Sequence, residues 1–161
     1  MPKYHPENER IKRRYFGYLK EARRQSEPTV DAVAKALSRF EEYTKHKSFK
    51  AFHYQQAVAF KNHLAAKRGQ SGKPLSKATL NTTLAALKRF FQWLSDQPSY
   101  KSRLQYCDAD YFNLPGKDVR IATAKREQKW PTLEQVKHVI AEMPINTEID
   151  RRNRALIAFT L

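Results

Sequence analysis

The sequence contains little glycine, a single cysteine and no long apolar run. Four glycines in 161 residues favour helices over a turn-rich β architecture. One cysteine, Cys107, excludes an internal disulfide framework and fits a reducing compartment. No apolar run approaches the roughly 18 residues needed to span a bilayer, and the N-terminus has no signal-peptide core. We therefore expect a cytoplasmic protein with no membrane partner.

Acidic residues are absent from a long internal stretch. No Asp or Glu occurs from Tyr43 through Ser95, although the same stretch contains ten Lys and Arg residues. The whole chain has 31 basic and 16 acidic residues, and its formal net charge is +15. An ordinary solvated surface mixes the two signs, whereas basic side chains near phosphates gain free energy by releasing counterions. The charge pattern predicts a nucleic-acid-binding face.

Catalytic and metal-binding patterns are also missing. The five histidines have no metal-ligand spacing, and one cysteine cannot supply a zinc site, so we predict no metal and no cofactor. The segment Arg68-Gly-Gln-Ser-Gly-Lys73 superficially suggests a phosphate loop, but no strand precedes it and the spacing fails. Glu41-Glu42 is interpreted as a solvated carboxylate pair on a helix surface. We nominate no catalytic residue.

Apolar residues recur with the period of an α-helix. Their spacing predicts helices at about 8–24, 29–45 and 52–67, and a fourth that begins at the N-cap candidate Ser76. Four such helices with short connections predict an all-α bundle with one shared core. Phe90, Phe91 and Trp93 are assigned to this core rather than to base stacking. The stripe of the fourth helix consists of Leu80, Leu84, Leu87, Phe91 and Leu94.

The sequence changes character after Pro98. Residues 100–129 have weak periodicity and several basic side chains, which favours an inter-domain linker. A T-x-x-Q capping box at Thr132 and Gln135 begins a new helix, and Thr147 to Asp150 indicates another helix start. The final stretch, Arg154 to Leu161, is apolar almost all round. Because a helix that is apolar on all sides is normally buried in a large core, we expect the sequence to end inside a second domain.

Two stretches together resemble the tyrosine recombinase (phage integrase) family. The helix that opens with Leu75-Ser-Lys-Ala-Thr79 and closes with Phe90-Phe-Gln-Trp-Leu94 is similar to the last helix of the family's core-binding domain. Trp130-Pro-Thr-Leu-Glu-Gln135, followed by Arg151-Arg-Asn-Arg-Ala-Leu156, resembles the opening of the catalytic domain. The two stretches occur in the family's order, with a basic segment of plausible length between them.

The resemblance implies a domain plan and a function. It implies a four- to five-helix SAM-like core-binding bundle at 29–99, a helical extension at 1–28, a basic linker at 100–129 and the first helices of a truncated catalytic domain at 130–161. The family's catalytic arginines, lysine, histidines and tyrosine have no matching motif here. We therefore expect a fragment without activity from an enzyme that breaks and rejoins DNA during integration of a mobile element or prophage.

The resemblance further implies a grip on double-stranded DNA, on which the full-length protein would self-associate. Ser76 either caps the helix only, or caps it and also contacts DNA. Thr79 and Thr82 either contact DNA or are surface residues with no specific contact. Phosphate contact is favoured for Lys77 and Arg89. The basic run at 12–14 touches DNA, or the Tyr/Leu face of its helix packs on a neighbouring protomer. The candidate DNA-binding residues are Lys73, Ser76, Lys77, Thr79, Asn81, Thr82, Lys88, Arg89, Lys117, Arg120, Lys125 and Arg126.

Two other function classes fit part of the pattern. An RNA-binding helical module would share the positive charge, but the sequence has no RNP-like motif, and competition between duplex DNA and RNA would separate the two. A protein-interaction adaptor would dock an acidic partner on the basic face. That hypothesis leaves the apolar stretch from Arg154 to Leu161 without an explanation.

Overall fold

The computed structural model describes residues 4–68, 72, 74–124 and 130–159, of which 71% are helical. Within these residues there is no strand, only an isolated antiparallel bridge between Arg68 and Pro74. The predicted all-α class is therefore confirmed. The α-helices are α1 (Pro6–Glu21), α2 (Glu27–Tyr43), α3 (Tyr54–Ala66), α4 (Lys77–Ser95), α5 (Gly116–Thr123), α6 (Leu133–Glu142) and α7 (Glu148–Phe159), and 3₁₀ helices span Phe49–Ala51 and Tyr106–Phe112.

The chain divides into two compact units, Met1–Ala124 and Lys125–Leu161. In the first unit α4 is the central helix, because it packs against α2, α3, α5 and the second 3₁₀ helix. Its N-cap is Ser76, as the sequence predicts, and the Ser76 Oγ accepts the Thr79 backbone N–H at 3.2 Å. The apolar stripe predicted for this helix is fully buried.

Phenylalanine rings fill the centre of the first unit. The Phe40 ring centroid lies 5.2 Å from that of Phe60, 5.3 Å from that of Phe91 and 6.0 Å from that of Phe112. All these pairs are edge-to-face, the geometry that the ring quadrupole favours. Phe90 and Phe91 are 0% and 2% exposed, which agrees with their assignment to the core.

The first helix belongs to the same core. Ile11, Tyr15 and Leu19 are buried, and the Tyr15 ring centroid lies 5.1 Å from that of Phe90 and 4.8 Å from that of Trp93. The Tyr/Leu face of α1 therefore packs on its own bundle, in agreement with the shared core that the apolar spacing of four helices predicts. Burial of this face is what makes α1 an integral helix of the unit.

A buried polar network joins α1 to the end of α2, and it corrects the interpretation of Glu41 as a solvated surface residue. Glu41 is 2% exposed, and its carboxylate accepts from the Asn8 amide at 3.1 Å and from the Lys12 ammonium at 2.6 Å. The same Asn8 amide donates to the Lys47 carbonyl at 2.9 Å, and its oxygen accepts the Phe49 N–H at 3.0 Å. A carboxylate in such a place needs these donors, because an unpaired buried charge is very costly.

Lys12 is consequently a structural residue rather than part of an open basic cluster. Its side chain is 11% exposed and forms ion pairs with Glu41 and Glu9. Burial by itself would lower the pKa of Lys12, but the hydrogen bonds and charges of the two carboxylates outweigh burial and raise it.

Residues 100–124, where the sequence favours a linker, are folded onto the bundle. Tyr100, Leu104, Ala109 and Phe112 are buried, and the second 3₁₀ helix and α5 both pack against α4. A 3₁₀ helix has three residues per turn, so its buried residues do not follow the α-helical period. The weak periodicity here reflects a different kind of helix and several short turns.

The unit formed by α6 and α7 contrasts with this packing. The predicted capping box is present: the Thr132 Oγ1 accepts the Gln135 N–H at 3.2 Å, and the Gln135 side chain accepts the Thr132 N–H at 2.9 Å. The two helices contact each other, yet neither has a buried residue. Leu156 is 58% exposed and Phe159 is 91% exposed, whereas Thr160 and Leu161 lie outside the described residues.

Candidate nucleic-acid interface

One face of α4 points away from the core. Ala78, Thr82, Ala85 and Arg89 follow each other at steps of four, three and four residues, and all are exposed or half-buried. This spacing places them on one stripe of the helix. The stripe begins beside the N-cap Ser76, where unpaired backbone N–H groups and the helix dipole favour a negative ligand.

The hydroxyl groups of this region already have partners within the helix. The Ser76 and Thr79 hydroxyls lie 2.9 Å apart, and the Thr82 hydroxyl donates to the Ala78 carbonyl at 2.8 Å. Asn81 is half-buried, and its side chain has no hydrogen-bond partner among the described residues. The geometry therefore accounts for Ser76 as a cap and leaves DNA contact by these side chains as a proposal.

Two of the predicted contact lysines are engaged in ion pairs. The Lys77 ammonium lies 2.8 Å from a carboxylate oxygen of Asp118. The Lys88 ammonium lies 2.8 Å from Asp110 and donates to the Asn113 side-chain oxygen at 3.1 Å. These acids follow the acid-free stretch in the sequence, and folding of residues 100–124 brings them to α4. Part of the basic charge of α4 is therefore neutralised within the chain.

Two further candidates come from α5. Lys117 and Arg120 are exposed on this helix, and the Lys77–Asp118 pair places its first turn beside the first turn of α4. The structure thus brings α5, which carries Lys117 and Arg120, to the N-terminal end of α4. Three other candidates, Lys73, Lys125 and Arg126, lie outside the described residues.

Lysines and arginines are used differently in this protein. Among the described residues, all six ion pairs use a lysine, and no arginine lies within 4.0 Å of a carboxylate. Arg89 is exposed, and its Nε–H donates to the Ala85 carbonyl at 3.2 Å, which leaves the two terminal nitrogens available. A guanidinium group presents a planar set of donors that matches phosphate.

A cavity of about 290 Å³ adjoins Arg89 between α1, α2 and α4. Arg23, at the end of α1, lines it together with Arg89, Tyr15 and Trp93. Burial raises the pKa of Tyr15 to about 12, while the charges of Arg89 and Arg23 act in the opposite direction. Both guanidinium groups are therefore close enough to act on the Tyr15 phenol.

Trp93 packs against the hydrophobic core, in agreement with its sequence assignment, and as a half-buried residue it also forms part of the cavity wall. Arg23 was not nominated at all, because the sequence places it in an extension outside the bundle. Its only sequence signal is its position in an Arg23-Arg24 pair just before the Gln-Ser turn.

A comparison with protein-family models bears directly on this helical unit. Residues 13–97, more than half of the chain, match the model of the phage integrase N-terminal SAM-like domain. The chain belongs to this family. The phage integrase match begins within α1 and runs through α4, so that Arg23 and Arg89 both lie inside the family domain, whereas Lys117 and Arg120 lie beyond it. The predicted resemblance to tyrosine recombinases and the SAM-like bundle are thereby confirmed.

Other comparisons add no relatives. No curated protein and no solved structure matches the chain. Among the described residues, no helix is long and apolar enough to cross a membrane. The integrase domain itself supports a site-specific recombinase or DNA-binding role.

Proposed function

We propose that this chain binds duplex DNA with sequence selectivity, as the N-terminal part of a site-specific tyrosine recombinase that acts in integration and recombination of a mobile element or prophage. The proposal rests on the arginines. Among the described residues no arginine has an acidic partner, and Arg89 lies on the exposed stripe of α4 within the phage integrase domain. Arginine without an intramolecular partner retains its full capacity to bind phosphate.

The proposed contact surface has two parts. One is the N-terminal end of α4 with Lys117 and Arg120 of α5, and the other is the stripe that ends at Arg89. Lys77 and Lys88 take a secondary place in this proposal, because a DNA phosphate would have to compete with Asp118 and Asp110 for them. Lys73, Lys125 and Arg126 remain candidates from the sequence alone.

We further propose that residues 4–124 form the DNA-binding domain and that residues 130–161 are the opening of the catalytic domain. The exposed apolar side chains of α6 and α7 support this second assignment, because such side chains are normally buried against other parts of a larger domain. Strand breakage and rejoining, and self-association on DNA, belong in this proposal to the parent recombinase. None of the eight tyrosines is assigned as its nucleophile.

The test is duplex DNA binding by the full chain, measured by fluorescence anisotropy over a range of salt concentrations. The logarithm of the affinity should fall linearly with the logarithm of the salt concentration, and Arg89→Ala should reduce this slope by about one. Lys77→Ala should change the slope less, since Asp118 already neutralises that charge. Affinity independent of salt, or a preference for RNA or single strands in competition, would contradict the proposal.

A further inference from the structure

We infer that the cavity between α1, α2 and α4 is a phosphate pocket in which Arg23 and Arg89 hold one phosphate of the DNA backbone. This inference rests on the proposed function and deepens it, because it adds α1 to the DNA-binding surface. It also assigns a role to Arg23, which the sequence places outside the bundle.

The two arginines reach the cavity from different elements of the fold. Arg89 comes from the fourth turn of α4 and lines the cavity together with residues of α1 and α2. Arg23 comes from the turn after α1, which is fixed by backbone hydrogen bonds from Arg23 to Tyr18 at 3.1 Å and from Gln25 to Leu19 at 3.0 Å. Because a helix and a bonded turn hold them, the two side chains start from defined backbone positions.

The charge of the cavity favours an anion. Two guanidinium groups are opposed by a single carboxylate, Asp96, and among the described residues no ion pair joins Asp96 to either arginine. The other polar side chains of the lining include Gln25 and Gln92, which are neutral and can donate hydrogen bonds. The lining therefore has a net positive charge, and some of its hydrogen-bond donors have no acceptor within the lining.

The remaining wall is aromatic. The Trp93 ring centroid lies 4.8 Å from that of Tyr15 and 5.9 Å from that of Tyr18. Packed rings form a rigid wall of low polarity, and such a wall strengthens the attraction between an arginine and a phosphate compared with open solvent. The lysines of the bundle lack this setting, since Lys77 and Lys88 lie next to acids.

The fluorescence of Trp93 can report on occupancy of the pocket. The chain has two tryptophans, Trp93 and Trp130, so a Trp130→Phe background isolates the fluorescence of the pocket. Titration of the full chain with a short mixed-sequence DNA duplex should change Trp93 emission to saturation. Arg23→Ala should remove most of this change, weaken binding about tenfold, as expected for one charge-assisted contact, and reduce the salt slope by about one.

Arg24→Ala is the matched control, because Arg24 follows Arg23 in the chain, carries the same charge and does not line the cavity. It should keep the Trp93 signal and lower the salt slope less than Arg23→Ala. Both arginines are exposed, so thermal unfolding should confirm that both variants are folded. If DNA binds but Trp93 emission is constant, or if the two variants behave alike, the pocket assignment is overturned and the proposed function stands.

Two further outcomes are decisive. Absence of duplex binding in the unsubstituted chain would overturn the proposed function and the pocket together. If deoxyadenosine monophosphate gives the full change of Trp93 emission at phosphate concentrations no higher than those at which the duplex saturates, the pocket binds a free nucleotide rather than the DNA backbone. No change with the mononucleotide at the phosphate concentration of duplex saturation supports the backbone assignment.

Discussion

The bundle of residues 4–124 and the helix pair of residues 130–159 use the same local signals but reach different degrees of burial. Ser76 caps α4 through its hydroxyl, and Thr132 caps α6 with the same geometry, supplemented by Gln135. Yet α4 has nine buried residues and α6 has none. Capping residues therefore determine where a helix begins, whereas contacts with residues distant in the sequence determine which of its side chains are buried.

The stabilisation of the two regions should differ accordingly. Full burial of a large apolar side chain contributes roughly 1.5–3 kcal/mol, and the bundle has many such residues. The α6 and α7 helices have 10 and 12 residues, lengths at which an isolated helix is marginal in water. We therefore expect substitutions in the bundle to change global unfolding, and substitutions in the helix pair to change only local helix content.

The largest effect should come from Asn8→Asp. The substitution removes the amide that donates to Glu41 and Lys47 and places a second carboxylate beside that of Glu41. Repulsion and the unsatisfied carbonyl should lower the free energy of unfolding by about 3–5 kcal/mol at neutral pH. Chemical denaturation of both proteins measures the difference. At a pH near 4 the loss should be smaller, because a protonated Asp regains one donor.

Asn153→Asp is the control from the other region. Asn153 is exposed on α7, and the same chemical change there should leave the main unfolding transition within about 0.5 kcal/mol of the wild type. An equal loss of stability in both variants would show that the two regions unfold as one cooperative body, contrary to the comparison.

Local sequence signals were enough to predict much of the fold. The apolar stripe from Leu80 to Leu94, the Ser76 cap and the Thr132 capping box each depend on residues within a few positions of each other, and the structure has all three. The family assignment came from the same local patterns. These features are predictable because the helical period and the cap geometry are properties of short segments.

The features that the sequence did not predict depend on distant partners. In the sequence Glu41 has the pattern of a surface acid beside Glu42, whereas in the fold Asn8 and Lys12 of α1 donate hydrogen bonds to it. Lys77 has no visible partner until α5 brings Asp118 to it, 41 positions later. The residues that line the Arg23 cavity come from α1 and the turn after it, from α2, from α4 and from the second 3₁₀ helix. No short segment contains this information, so the candidate site could be predicted only as a list of basic and polar residues on the fourth helix and in the segments beside it.

A smaller effect is expected from the ionisation of Tyr15 in the bundle. Burial raises its pKa from 10.0 to about 12, so between these pH values the unfolded chain loses a proton that the folded chain keeps. The free energy of unfolding should therefore fall as the pH rises, by up to about 3 kcal/mol from this group. Tyr15→Phe should remove most of that dependence, as measured by denaturation at pH 9 and at pH 12.

Tyr106→Phe provides the matched control, because Tyr106 is 56% exposed and the substitution is chemically identical. Its alkaline stability profile should follow that of the wild type. Residues 130–159 contain no tyrosine, so this profile reports on the bundle alone. If Tyr15→Phe keeps the full alkaline loss, the raised pKa of Tyr15 does not govern it. Tyr100 and Lys12, whose pKa values are also raised, then become the groups to test, because each loses its stabilising contribution as the pH rises towards its raised pKa.

The smallest effect tests the two caps against each other. Thr132→Ala removes the acceptor for the Gln135 N–H, and Ser76→Ala removes the acceptor for the Thr79 N–H; each loss costs about 1 kcal/mol. In α6 no burial holds the first turn, so hydrogen exchange of its first amides should accelerate severalfold while the bundle keeps its midpoint of unfolding. In α4 the buried residues keep the turn helical, and the same cost should appear instead as a lower global stability. Equal fraying of both helices would mean that burial does not protect the end of α4.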